Sequence, residues 1–309
     1  MNVNSNMKKS ATVLIFLVIC ILIGGCKKTD LTASYLYIDS DVFSIDMTDF
    51  NNEFGTGYDQ GELACIANHK FPDAWVMVNG KDLGTWELPC KIPVLASDNA
   101  TVQIFPGVKM NGVSTSRPRY PFTDANKQTI NLKYNEITKI SSIPVKYYST
   151  TAFKIVENFE RDYNGYFTAE DSTGVNFEHI YDAEDPSNRI GLISLEDSVM
   201  DFNVLSSTMK FDNKVQYVFL EMDYRCDVEN AQIYAGMLIT KPTTVVATDE
   251  PLVVVNASPK WKKIYINLTQ AVLRNHISEA VSYKVYLSGG RSDSTPIHYY
   301  FDNIKVIYR

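Results

Sequence analysis

Glu221 and Asp223, in Leu220-Glu221-Met222-Asp223-Tyr224, are the first place in this chain where residue type and spacing could support a reaction. Residues two apart on a strand project to the same face, so the two carboxylates align. Retaining hydrolysis of a glycosidic bond needs two carboxyl groups about 5 Å apart, one as nucleophile and one as acid. The sequence contains no G-x-S-x-G turn and no glycine-rich phosphate loop. His69, His179, His276 and His298 are scattered, and no Cys-x-x-Cys pair offers a zinc site. These residue types favour binding over catalysis.

Binding candidates are aromatic. A sugar ring stacks its apolar face on an exposed aromatic ring while amides and charged groups hold its hydroxyls. Trp261 and Tyr265 alternate with Ile264 and Ile266, so they share the non-aliphatic face of one strand, and lysines follow Trp261. Tyr234 alternates with Ile233 and Ala235 in the same way. The competing role for each ring is core packing, since a two-sheet sandwich needs aromatic residues inside.

The elements that must position these residues read as strands. Short runs rich in Tyr, Val, Ile, Phe and Thr are broken by Asn-Gly, Asp-Asn and Ser-Gly signals, which predicts an all-β chain. Residues 149–309 open with Phe153–Glu160 and continue through strands at Gln216–Tyr224, Ala231–Thr240, Pro251–Asn256, Trp261–Leu268 and Val281–Leu287. They close with Tyr299–Tyr308. Leu268–Asn275 is the one helical stretch in view.

The opening V-E-N-F-E, the strand W-K-K-I-Y-I-N-L and the closing F-D-N-I-K-V resemble galactose-binding-like jelly rolls, the fold of many carbohydrate-binding modules. The resemblance implies glycan binding, and a structural calcium held by an acid of the first strand and an aspartate of the last. Those positions are Glu160 and Asp302, with Glu157 near the first. Calcium takes six to eight oxygen ligands, so backbone carbonyls would have to complete the site. The segment around Glu221 also resembles the E-x-D-x-x-E strand of jelly-roll endoglucanases, and departs from it at Cys226.

Residues 34–148 predict an immunoglobulin-like sandwich of about seven short strands. Ala74–Trp86 is a hairpin closed by Asn79-Gly80, a pair suited to a type I′ turn. Thr101–Phe105 is a strand before a Pro106-Gly107 turn, Met110-Asn111-Gly112 marks another turn, and Gln128–Tyr134 alternates as a half-buried strand. The V-x-V-N-G-x-x-L-G-x-W and V-x-I-x-P-G segments resemble PEGA-like and Ig-like envelope modules, which implies a spacer or contact platform. The short junction Tyr148-Ser149-Thr150-Thr151 predicts little freedom between the two units.

Ahead of both lies an export signal. Lys8 and Lys9 precede the apolar run Ala11–Ile23, about a dozen residues where a membrane span needs roughly 20. Leu22-Ile23-Gly24-Gly25-Cys26 matches a lipobox, predicting cleavage after residue 25, acylation of Cys26 and a tether over residues 26–33. The N-terminus resembles Bacteroidetes-type outer-membrane lipoproteins. Lys27 and Lys28 stand where surface-directed members carry acids, so periplasm-facing and cell-surface placements both stay open. A net charge of −7 over 309 residues argues against nucleic acid as a partner. Expected partners are the membrane through the lipid, and either a polysaccharide or another envelope protein. In an oxidising compartment Cys65 and Cys90 are open either to a bridge or to two buried thiols, with Cys226 left over.

Overall fold

Alternation of apolar and polar residues builds two sets of sheets. The computed structural model describes residues 32–48, 50, 57–161, 165–170, 174–244 and 246–309. The export signal and Cys26 lie outside them. Among the described residues, no helix is long and apolar enough to cross a membrane.

The first unit contains β1 (Ser34–Ile38), β2 (Phe43–Ile45), α1 (Gln60–Ala67), β3 (Asp73–Val78), β4 (Lys81–Glu87) and β5 (Cys90–Val94). It continues with β6 (Asp98–Gly107), β7 (Asn126–Leu132), β8 (Ile137–Ile140) and β9 (Ile143–Val145). Strands pair as β4-β3-β6-β7 and β5-β1-β8, with β2 beside β9. Asn79 and Gly80 turn the β3–β4 hairpin with φ of 50° and 76°, the positive values their residue types tolerate.

Three expectations for this unit need correction. The pairs β1–β8 and β2–β9 are parallel, beyond a simple antiparallel sandwich. Pro106-Gly107 is not a turn, because β6 runs through it and Tyr120 N–H bonds the Pro106 carbonyl at 2.8 Å. The helix α1 was hidden by its brevity, although Asp59 and Glu62 form a capping box around its first turn. Its Leu63, Cys65 and Ile66 are buried.

The second unit is a jelly-roll sandwich. Its strands are β10 (Ala152–Glu157), β11 (Phe167–Ala169), β12 (Glu178–Tyr181), β13 (Arg189–Leu195), β14 (Asp201–Ser206) and β15 (Val218–Cys226). After them come β16 (Gln232–Thr240), β17 (Thr248–Asn256), β18 (Lys262–Asn267), α2 (Thr269–Asn275), β19 (Ser282–Gly290) and β20 (Ile297–Tyr308). A six-stranded sheet, β12-β13-β20-β15-β18 with β10 also on β20, faces a five-stranded sheet, β11-β14-β19-β16-β17. Leu220, Met222, Ile264, Ile266, Val285 and Leu287 meet between them.

The far side of the six-stranded sheet is also buried. Val156, Phe219, Tyr265 and Ile307 leave the jelly-roll core and join the core of the first unit. Phe219 meets Phe122 edge-on with ring centroids 5.4 Å apart, and Tyr265 lies 6.1 Å from Phe71 and 5.8 Å from Tyr120. The first unit therefore covers one face of the jelly roll instead of standing off from it. Its turn at Met110–Asn111 also pairs with the β18 edge, Asn111 N–H bonding the Tyr265 carbonyl at 2.8 Å.

Candidate functional site

Strand β18 starts at the seam between the units, which sets the position of Trp261 just before it. The indole N–H donates to Asp182 Oδ2 at 3.1 Å, and Arg225 also donates to Asp182 at 3.1 Å. The Arg225 guanidinium lies 4.9 Å from the Trp261 ring and 4.4 Å from Tyr300. Asp182 and Arg225 thus hold the ring in one orientation while it stays partly exposed. Neither partner carried a local signal, since Arg225 comes from β15 and Asp182 from the residue after β12.

Two clefts adjoin Trp261. The larger, about 530 Å³, runs between the β17 and β18 edges and the Lys70 and Asn111 regions of the first unit. Asn111 and Asn256 supply amides there, and Tyr224 and Val254 add apolar wall. Four lysines, Lys70, Lys109, Lys262 and Lys263, line it. The smaller cleft, about 390 Å³, holds Asp182, Asn188, Asp223 and Asp302 with His69. Both volumes suit a few sugar units, a mix of apolar surface and convergent polar groups.

Electrostatics differ across Trp261. Asp302 is buried and its carboxyl is pushed up to about 7 by burial, despite hydrogen bonds from Asn188 Nδ2 and the Asn303 N–H. Burial, with the Lys305 and Lys263 cations, pulls His69 down to about 4. Lys263 Nζ reaches Asp223 at 3.2 Å and the Asn68 side chain at 2.6 Å.

The other sequence candidates fall apart from this site. Tyr265, at 2% exposure, is corrected from platform to core: its hydroxyl accepts the Lys70 N–H at 2.9 Å and its ring packs in the seam. The alternation that placed it opposite Ile264 and Ile266 holds, but that face meets the first unit and not solvent. Tyr234 is 42% exposed on the open side of the five-stranded sheet, its hydroxyl donating to Gln232 at 2.6 Å. Val254, opposite Tyr234 in the β16–β17 ladder, is itself a wall of the larger cleft.

Glu160 and Asp302 keep separate partners. Glu160 Oε1 accepts the Arg189 N–H at 3.0 Å, whereas Asp302 takes the two donors above. Glu157 accepts the Phe159 and Tyr166 N–H groups at 3.0 and 2.9 Å. Among the described residues, no group of three or more His, Cys, Asp or Glu side chains could hold a metal ion.

Glu221 does not flank an opening. It is fully buried in the seam, accepting a short hydrogen bond from Tyr120 with Lys305 Nζ 3.4 Å away, while Asp223 lines the smaller cleft. Cys65, Cys90 and Cys226 are all free and buried.

No family profile matches the chain, and no curated protein does. Among solved structures, it is similar to the family 30 carbohydrate-binding module of a cellulosomal cellulase of Clostridium thermocellum. That likeness has a TM-score of 0.36 and 15% identity, covering 50% of this chain and 97% of that one. The CBM22-1 xylan-binding domain from Paenibacillus barcinonensis gives 0.36 and 12%, covering 51% and 94%. A family 11 module of another Clostridium thermocellum cellulase gives 0.34 and 13%, covering 50% and 94%. Likenesses at this level assign no ligand to this chain.

Proposed function

We propose that this chain is a non-catalytic envelope lipoprotein that binds a glycan in the seam clefts beside Trp261. The lipobox at Cys26 supports anchoring to the outer membrane, facing the periplasm or the cell surface. The observation that carries the glycan reading is Trp261 itself. A partly exposed indole, oriented by Asp182 and Arg225, borders two clefts furnished with Asn, Lys and Asp side chains. Rigid aromatic surface among hydrogen-bonding groups is what a sugar ring needs. Tyr234 lies outside the clefts, and its contribution would be to a longer ligand crossing Val254.

The test is a polysaccharide-binding screen on residues 27–309, which retain every described residue, with Trp261→Ala alongside. Saturable binding that weakens about tenfold or more in the variant supports the reading. A clean negative across plant, host and bacterial polysaccharides would reject it, and would turn attention to an envelope protein as the partner.

A further inference from the structure

We infer that the larger cleft selects an anionic saccharide, one bearing carboxylate or sulfate groups; this rests on the glycan reading and narrows it. The chain as a whole is acidic, at −7, yet the cleft is lined by Lys70, Lys109, Lys262 and Lys263. Among the described residues, no Asp or Glu lines it.

Charge pairing sharpens the point. Lys109 is offset by Glu87 at 2.6 Å and Lys263 by Asp223 at 3.2 Å. Lys70 and Lys262 are exposed and have no such partner among the described residues. The acids across Trp261 are largely answered: Asp182 by Arg225, Asp223 by Lys263 and Asn303, and Asp302 by Asn188. Asp41, which lacks such a partner, lines the smaller cleft and not the larger one, whereas Lys70 and Lys262 line both. The uncompensated charge at the larger cleft is therefore positive. Lys70 comes from the first unit and Lys262 from the second, so the ligand's anionic groups would bridge the seam. Trp261 and the Asn111 and Asn256 amides suit sugar rings and hydroxyls, which a bare inorganic anion would leave unused.

The experiment measures binding of residues 27–309 to polygalacturonate, chondroitin sulfate, xylan and a mixed-linkage glucan, at low and at 0.5 M salt. The proteins are the unaltered chain, Lys70→Gln/Lys262→Gln and Trp261→Ala. Both lysine side chains are exposed, and thermal melts check that the double variant folds. The expected result is preference for polygalacturonate or chondroitin sulfate, lost about tenfold or more in the lysine variant and weakened by salt. Unsulfated chondroitin, which keeps the carboxylates of chondroitin sulfate, tells carboxylate from sulfate recognition. Binding of the neutral glycans that Trp261→Ala abolishes and the lysine variant leaves intact would overturn this inference alone. No binding to any of the four would overturn it together with the glycan reading.

Discussion

Lys305 Nζ lies 2.7 Å from the carbonyl oxygen of Asn68, so a lysine on the last strand of the jelly roll closes a helix of the other unit. The same ammonium also donates to the Cys65 and Ile66 carbonyls at 2.9 and 3.1 Å. These carbonyls lie at the C-terminal end of α1, where Cys65 also accepts the Asn68 N–H and Ile66 the Tyr147 hydroxyl, and a cation there complements the helix dipole. Burial pulls the Lys305 pKa below the ordinary lysine value, and the nearby Glu221 carboxylate opposes that shift.

Removing this ammonium should be costly. Lys305→Met leaves Glu221 in the seam without its cation and removes one donor from each of three carbonyls at the end of α1, a loss of about 3–5 kcal/mol in urea unfolding. Lys305→Met with Glu221→Leu should recover part of it, because both charges then leave together. A single variant within about 0.5 kcal/mol of the unaltered chain would contradict the role given to Lys305.

Asp302 should make stability depend on pH in a direction unusual for a carboxylate. Its folded pKa of about 7 lies above the ordinary 3.8, so the folded chain holds a proton that the unfolded chain has released. Its contribution is complete below about pH 4 and is lost as pH rises through 7. Denaturant melts from pH 4 to 8 should show that decline, and Asp302→Asn should flatten it. An unchanged slope in the variant would show that Asn188, the Asn303 N–H and Lys263 hold the carboxyl ionised instead.

The thiols should be silent. Burial pushes Cys65 and Cys226 up to about 12 and Cys90 to about 11. A thiol reagent at neutral pH should therefore label none of the three in folded residues 27–309, and all three after denaturation. Reductant should leave the melting temperature unchanged. Fewer than three thiols in the denatured chain would mean that a disulfide forms.

Local signals carried the strands well, because alternation and turn residues are properties of neighbours in the chain. The Asn79-Gly80 hairpin, the β18 alternation and α2 could all be read that way. What could not be read was which surface meets the second face of a strand. In β15, Phe219 and Glu221 point away from Leu220 and Met222, and the sequence alone does not say that Phe122 and Tyr120 cover them. Tyr265 was misplaced for that reason, and the cleft was missed because Lys70 and Asn111 enter it from a hundred and more residues upstream. The Asp59–Glu62 box was legible and announced α1, but eight residues with little apolar periodicity did not compete with the surrounding strand pattern.

The seam also bears on how such a chain can change. Tyr148–Thr151 is a junction along the sequence, but the folded molecule has a continuous apolar interior across it, shared by Phe122 and Phe219. Separated there, the jelly roll would present Phe219, Ile307, Glu221 and Lys305 to water, and the first unit would lose the lid on its core. Modules that move freely between proteins carry polar surfaces at their borders. These two do not, so a cut at the junction would yield two unstable halves, and the pair can be exchanged between proteins only whole.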